Sequence, residues 1–153
     1  MPTTKLKLHE YYQFDIELNG LINQSNGEVL QTGLLKEKLN LITKYWLTDL
    51  AKTVSLEKEA IENLKTDLVK KYGEEDKDGN ISLPIYFPEE KNDEGEITKQ
   101  AMLNPKYVEF EKEFSTLLQE EKELTHHEFK LEDFKNIETT NNYNVFYKLI
   151  KVD

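Results

Sequence analysis

The chain contains no cysteine and no arginine, and both absences limit the chemistry available to it. Without cysteine there are no disulfide bonds, no thiolate metal sites and no thiol nucleophiles. Without arginine, no bidentate guanidinium contact to a phosphate or carboxylate group can form, since all twenty basic residues are lysines. The absence of cysteine fits a reducing compartment.

Long apolar runs are also missing. No segment approaches the roughly 18–20 apolar residues that a membrane span needs. The first residues, Met-Pro-Thr-Thr-Lys-Leu-Lys, lack the apolar core of a signal peptide. We therefore expect an intracellular protein with no membrane partner. The net charge of −10 opposes binding through phosphate neutralisation, so we also expect no direct contact with nucleic acid.

The acidic residues are concentrated in one segment. Residues 74–96 contain nine acidic side chains and two lysines, a net charge of −7 within a chain of −10. Such a segment is either a solvated loop region or a docking surface for a basic partner. A chain of 153 residues has the size of one domain with a real core. We expect residues 1–153 to form a single domain, with residues 74–103 as a projecting acidic arm or β-hairpin within it.

Helical periodicity dominates the first half of the chain. Residues 34–53 place apolar side chains at three- and four-residue steps, and residues 56–72 repeat the pattern. Ser55 marks a weak break between them, so one continuous helix of ~58 Å and two shorter helices both stay open. Residues 7–22 fit either a half-buried strand or a helical face, and we favour helix because the stretch is long for a strand.

The character of the sequence changes after residue 73. Ile81–Phe87 predicts an edge strand, because Pro84 cannot donate to a β-ladder. A turn at residues 92–95 separates this strand from a returning strand within 96–102. The segment therefore predicts a β-hairpin or an irregular arm.

A second helix is well marked. Asn104 provides an N-cap and Pro105 the first helical position of a helix over 105–121. Packing this helix antiparallel on the helix of 34–72 would give a helical hairpin, and a last apolar stretch near 143–150 would close the core. We therefore expect a mainly α fold, an antiparallel helical hairpin or small bundle with a minor β-hairpin.

Residues 74–85 partly match the calcium-binding loop of an EF-hand. Oxygen-bearing side chains fall at loop positions 1, 3, 5 and 9, and Gly79 falls at position 6. Position 12 is Ile85, however, where the loop needs a glutamate that binds calcium through both oxygens. Pro84 also opposes the start of the exit helix. The segment therefore predicts a charged Asp-Gly turn rather than a metal site.

Signatures of catalysis are missing as well. His126 and His127 are adjacent, a spacing that suits a metal less well than histidines separated by two or three residues. The sequence has no glycine-rich phosphate loop, nucleophile elbow or His-Glu-x-x-His motif. We therefore predict a protein that is not an enzyme, with no catalytic residue, no cofactor and no metal. Trp46 is expected to anchor the core.

Several segments follow one another in a particular order. They are Leu68–Asn80, Asn104-Pro105, Phe110–Phe114 with Leu117-Leu118, and Phe129–Phe134. In this order they resemble a group of small uncharacterised proteins of tailed bacteriophages and prophages. Residues 18–21, 33–35 and 44–47 are most similar to versions from crAss-like phages. The resemblance covers most of the chain, brings no catalytic residues and implies a phage product.

The resemblance and the lack of catalytic signatures imply a bacteriophage virion or assembly component that acts by protein–protein contact. One alternative is a phage-encoded soluble inhibitor that turns its acidic surface against a host defence protein. Another is an intracellular adaptor or assembly chaperone. The partners would be other phage structural proteins or a host protein, and a homo-oligomer is compatible with each function. The expected location is the host cytoplasm during infection, or the virion.

The expected interaction residues lie in the acidic arm. Charged side chains there would steer a basic partner, whereas affinity would come from apolar neighbours. Tyr11 and Tyr12 are further candidate anchors if they are exposed. The predicted interaction residues are Ile85, Tyr86, Phe87, Glu89, Glu90, Asp93 and Glu94.

Overall fold

The structure is a computed structural model that describes residues 1–137 and 141–151. Of these residues, 45% are helical and 22% lie in strands, so the fold is mixed α/β. The prediction of a mainly α hairpin or bundle is therefore wrong. The predicted helices are present in the structure, although their bounds differ. The strands are two to five residues long, which is too short to show an alternating pattern in the sequence.

Four α-helices and twelve short strands make up the described residues. The helices are α1 (Glu10–Asn19), α2 (Leu41–Tyr72), α3 (Pro105–Leu118) and α4 (Asn144–Tyr147), and 3₁₀ turns occupy Leu34–Lys36 and Leu131–Phe134. The strands are β1 (Thr3–Lys7), β2 (Leu21–Ile22), β3 (Val29–Gln31), β4 (Glu74–Glu75), β5 (Ile81–Ser82), β6 (Tyr86–Phe87), β7 (Glu90–Lys91), β8 (Ile97–Lys99), β9 (Met102–Leu103), β10 (Glu121–Thr125), β11 (Phe129–Lys130) and β12 (Ile150–Lys151).

The strands pair two by two. Five pairs are antiparallel: β1 with β10, β2 with β3, β4 with β5, β6 with β9, and β7 with β8. The sixth pair, β11 with β12, is parallel. The predicted helix over residues 7–22 is shorter in the structure. Residue 7 is the last residue of β1, which pairs with β10, and only residues 10–19 are helical.

The long helix α2 is continuous across Ser55 but begins later than its apolar stripe predicts. The side chain of Asn40 accepts a hydrogen bond from the backbone N–H of Thr43 at 2.8 Å and so caps the helix at this point. The preceding apolar residues serve a different element, since Leu34 is buried in a 3₁₀ turn. At the other end, the backbone N–H of Gly73 donates to the carbonyl of Val69 at 2.7 Å, as expected for a helix stop.

The chain divides into two compact units: Met1–Ile61 with Gln119–Asp153, called unit 1, and Glu62–Leu118, called unit 2. The core of unit 1 is aromatic. The ring of Phe146 on α4 lies 6.4 Å from Phe14, 5.3 Å from Phe129 and 5.1 Å from Phe134, each in an edge-on arrangement. Such pairs favour the edge-to-face geometry that ring quadrupoles prefer. Residues near the carboxyl end thus complete the core, as the apolar stretch near 143–150 predicts.

Glu17 is a charged residue inside the same core. Its side chain is fully buried and accepts hydrogen bonds from the backbone N–H groups of Phe146 at 2.9 Å and Val145 at 3.2 Å. These are N–H groups at the start of α4 that have no partner within the helix. Burial raises the pKa of the Glu17 carboxyl, although both hydrogen bonds act to lower it. Glu17 therefore fixes α4 to α1.

Unit 2 contains the last turns of α2, the helix α3 and three of the strand pairs. Phe110 and Phe114 on α3 are buried, and their rings stack at 5.9 Å. Lys71 on α2 pairs with Glu113 on α3 at 2.9 Å. This hydrogen bond raises the pKa of Lys71 and lowers the pKa of the Glu113 carboxyl. The two helices of the predicted hairpin therefore do meet, but within a unit that also carries the strands.

Candidate protein-binding surface

The strand pair β6–β9 exposes large apolar side chains on both of its faces. Tyr86 lies opposite Leu103, and Phe87 lies opposite Met102. Because neighbouring residues of a strand point to opposite faces, each cross-strand pair occupies its own face. The exposed fractions are 63% for Tyr86, 46% for Leu103, 40% for Phe87 and 53% for Met102, with 46% for the adjacent Ile85. Both faces of this strand pair are therefore partly exposed to solvent.

A second strand pair continues the first. Pro88 has no N–H to donate, and the ladder is interrupted there before it resumes as β7–β8. Phe87, Pro88 and Met102 line one depression of about 530 Å³ together with Glu90 and Lys99 from the second pair. The apolar side chains and the charged ones thus lie side by side. We call residues 85–103 the acidic ribbon; they carry five acidic residues and two lysines, a net charge of −3.

The tip of the acidic ribbon is a tight turn over Asn92–Glu96. The side-chain oxygen of Asn92 accepts hydrogen bonds from the backbone N–H groups of Glu94 at 3.0 Å and Glu96 at 2.9 Å. Gly95 has a φ of 84°, which an L-residue with a side chain rarely adopts. The fixed turn leaves the side chains of Asp93 and Glu94 exposed to solvent.

The predicted interaction residues are therefore brought together on one element. Tyr86 and Phe87 form β6, while Glu89 and Glu90 lie just beyond Pro88. Both glutamates make long, exposed ion pairs, Glu89 with Lys91 at 3.6 Å and Glu90 with Lys99 at 3.7 Å. Such pairs contribute little to stability. We therefore expect the loss of either ion pair to change stability by less than about 1 kcal/mol.

The acidic ribbon is tied to the body of unit 2 by Asn104. This residue is buried; its side-chain amide donates to the carbonyl of Pro84 at 2.8 Å, and its backbone N–H donates to the carbonyl of Ile85 at 2.8 Å. Its side-chain oxygen accepts from the backbone N–H of Lys106 at 3.1 Å at the start of α3. One side chain therefore joins a helix start to the base of the ribbon.

We expect Asn104→Ala to lower the free energy of unfolding by about 1–2 kcal/mol, because it removes a helix cap and leaves the Pro84 carbonyl without its partner. Urea denaturation measures this loss. Asn92→Ala is the matched control, since that side chain is exposed and water can replace its hydrogen bonds. An equal loss in both variants would contradict the role given to Asn104.

A second cavity lies at the base of the acidic ribbon. It has a volume of about 360 Å³. Phe87 borders it as well, so this ring lies between two depressions. Lys106 faces Glu74 in the lining, with their charged atoms 3.7 Å apart. The remaining lining residues are Tyr72, Ser82, Leu83, Pro84, Asn104 and Pro105.

The EF-hand-like segment contains β4, β5 and the turn between them. The carboxylate oxygen Oδ1 of Asp76 accepts hydrogen bonds from the backbone N–H groups of Asp78 and Asn80, each at 2.9 Å. Gly79 has a φ of 83°, so the segment repeats the turn of the acidic ribbon residue for residue. Among the described residues, no three acidic or histidine side chains are grouped closely enough to hold a metal ion. The absence of calcium binding stays a prediction.

The two adjacent histidines have separate structural roles. The ring of His126 is buried; its Nδ1 lies 2.7 Å from the carbonyl of His127 and its Nε2 lies 2.8 Å from the Thr4 hydroxyl. A carbonyl only accepts, so Nδ1 carries the proton and donates. The ring of His127 instead stacks on Trp46 at 4.7 Å. His126 therefore contacts β1, whereas His127 contacts α2.

One predicted anchor is misplaced. Tyr11 was a candidate anchor only if exposed, and this condition is not met, because the residue is fully buried in unit 1. Burial, followed by the charges of Glu57 and Glu10, raises the pKa of Tyr11 to about 12. Tyr11, Phe14 and Leu18 are separated by three and four residues, which places them on one face of a helix. This spacing indicates that Tyr11 belongs to the buried face.

No family model, curated protein sequence or solved structure matches this chain. Within residues 1–137 and 141–151, no helix is both long and apolar enough to span a bilayer.

Proposed function

We propose that this protein is a non-catalytic component that works by binding another protein through the acidic ribbon. The observation that carries the proposal is the strand pair β6–β9, whose two faces both expose large apolar side chains. Clustered apolar side chains rimmed by polar residues are typical of interaction sites. Tyrosine is among the residue types that contribute most to binding energy when a partner buries them.

The charges of the acidic ribbon have a different task. Exposed ion pairs add little affinity, but complementary charges raise the rate at which partners meet. This attraction weakens with salt because the Debye length is only ~8 Å at physiological ionic strength. The acidic ribbon therefore suits a partner with apolar pockets surrounded by basic residues.

The setting we propose is a bacteriophage particle or its assembly, on the basis of the resemblance to small phage proteins. A virion component needs stable contacts with neighbouring proteins and no catalytic site. A ribbon that exposes apolar side chains on both faces suits such contacts. The alternative is a soluble inhibitor of a host defence protein, favoured by the acidic charge that could stand in for nucleic acid. In both cases the partner is a protein.

Mass spectrometry of purified particles decides between the two settings. If the chain is a structural component, we expect it in particles at a fixed stoichiometry. A Tyr86→Ser, Phe87→Ser variant should be lost from them, while Leu64→Gln, which alters an exposed leucine of α2 in the same unit, should be retained. Absence of the chain from particles, together with early expression, would favour the inhibitor.

We expect neutralisation of the four predicted acidic contacts to slow association and to remove most of its dependence on salt. The variant replaces Glu89 and Glu90 with glutamine and Asp93 and Glu94 with asparagine or glutamine. The dissociation rate should change little, because the apolar contacts are intact. Stopped-flow binding to the purified partner at two salt concentrations tests this, and an unchanged association rate would contradict the steering role.

A further inference from the structure

A second exposed apolar surface lies in unit 1, at the first turns of α2. Leu41 is 84% exposed, Ile42 70% and Tyr45 64%. On a helix, Tyr45 follows Leu41 by four residues and Ile42 by three, so the three side chains are neighbours on the surface. Large apolar side chains this exposed and this close together indicate a contact surface.

Tyr45 is connected to the core of unit 1 by a series of ring contacts. The ring of Tyr45 packs edge-on against Trp46 at 5.2 Å, and Trp46 stacks on His127 with ring planes only 4° apart. His127 in turn packs edge-on against the buried Phe129 at 5.3 Å. The aromatic rings therefore connect an exposed tyrosine to the core, so little side-chain entropy is lost when a partner covers it.

The sequence segment that carries this surface is basic, unlike the chain as a whole. Residues 36–46 contain three lysines and one glutamate, a net charge of +2 in a chain of −10. Next to Asn40, which caps α2, Lys38 and Lys135 line a shared open depression of about 660 Å³. We call Leu41, Ile42 and Tyr45 with Lys36, Lys38 and Lys44 the basic patch.

We propose that the basic patch binds the acidic ribbon of a second copy of this chain. The two surfaces are complementary: one has exposed aliphatic and aromatic side chains beside lysines, and the other has them beside carboxylates. Lys36 and Lys44 of the patch would pair with carboxylates such as Glu90, while Leu41 and Ile42 would cover the face of the strand pair that carries Phe87 and Met102. This proposal rests on the proposed function and names its partner.

The charge balance favours a second copy over an anionic membrane. Exposed lysines beside tryptophan and tyrosine also occur in helices that lie on membrane surfaces. An anionic bilayer, however, would repel a chain that carries −10 and whose unit 2 bears most of its exposed acids. In the acidic ribbon, carboxylates lie beside exposed apolar side chains. It therefore complements both the lysines and the apolar side chains of the basic patch.

Because the two surfaces differ, the contact is heterologous, and it can be tested by complementation. The ribbon variant carries Tyr86→Ser and Phe87→Ser, and the patch variant carries Leu41→Gln and Ile42→Gln. Sedimentation equilibrium over about 1–300 µM should show self-association of the wild type and of the control Leu56→Gln, which alters another exposed leucine of α2. Each contact variant alone should bind itself at least about 30-fold more weakly.

The decisive sample is the equimolar mixture of the two variants. Each retains the surface that the other lacks, so the mixture should form a one-to-one dimer and nothing larger. A Lys36→Gln, Lys44→Gln variant, which keeps the apolar residues, serves as a second patch variant if the first does not fold. Circular dichroism confirms the folding of every sample.

Three results would overturn the proposal. They are a wild type that stays monomeric, a mixture that does not form a dimer, and a monomer whose patch binds phosphatidylserine vesicles in a flotation assay. Each of these leaves the proposed function standing, because that function is tested separately, by the retention of the ribbon variant in particles and by crosslinking from position 86.

Discussion

Replacement of Phe146 by alanine is expected to lower the free energy of unfolding by about 3–5 kcal/mol. This ring is 2% exposed and packs edge-on against Phe14, Phe129 and Phe134 from three other elements. Its removal would leave a cavity that α4 cannot fill by moving, because Glu17 holds the start of that helix. Urea denaturation followed by far-UV circular dichroism measures the loss.

Tyr147→Ala is the matched control for this prediction. Tyr147 is the next residue of α4 but is 54% exposed, and its replacement should cost less than about 1 kcal/mol. If the two variants were equally stable, the carboxyl-terminal segment would not complete the core of unit 1, and the description of that core would be wrong.

Replacement of Glu17 by alanine is expected to cost about 2–4 kcal/mol. The variant leaves the backbone N–H groups of Val145 and Phe146 buried without an acceptor, and each such group is expensive to bury. Asp15→Asn is the control, since that carboxylate lies on the same helix, makes a partly exposed ion pair with Lys58 at 3.0 Å and accepts an exposed hydrogen bond from Asn19 at 2.9 Å. It should change stability by less than about 1 kcal/mol.

Glu17 also predicts a dependence on pH with a definite sign. Its pKa in the folded protein is raised above the ordinary value of 4.5, so the folded state binds the proton more tightly than the unfolded state. Its contribution to stability is therefore greatest at low pH and falls as the pH rises from 4.5 through the raised value. Glu17→Gln, which cannot ionise, removes this contribution.

The measurable quantity is the difference in unfolding free energy between wild type and Glu17→Gln. This difference should fall as the pH rises through that window and stay constant above it. Other groups, such as the charges of Glu10 and Lys148 near this site, are common to both proteins and cancel in the difference. A difference that rises with pH would show that the hydrogen bonds to α4 outweigh burial.

The sequence predicts helices where the signals for them, periodicity and capping, lie within a few neighbouring residues. The stripe of α2 and the Asn104-Pro105 start of α3 were recognised because periodicity and capping act within a few residues. The strands were not, because the pairing of β1 with β10 joins residues 3–7 to residues 121–125 and depends on contacts distant in sequence. Their two- to five-residue lengths carry no pattern that separates them from loops.

The candidate site was partly predictable as well. Concentrated acidic charge and the Tyr86-Phe87 pair pointed to the acidic ribbon, since both are visible in composition. The sequence does not predict the basic patch, because Leu41, Ile42 and Tyr45 continue the apolar stripe of α2, and such a stripe is typical of buried residues. A repeated pattern, Asp or Asn followed three residues later by glycine, marks both Asp76 and Asn92 and would have identified the two matching turns.

Site-specific photo-crosslinking tests the central claim, that the acidic ribbon contacts another protein, most directly. A photoreactive benzoylphenylalanine replaces Tyr86 in the full chain, and the same residue replaces Leu64 as a control that is also exposed within unit 2. After irradiation in the cells that produce the chain, position 86 should give a discrete crosslinked protein that position 64 does not. Crosslinking at neither position, or equally at both, would contradict a specific contact at the acidic ribbon.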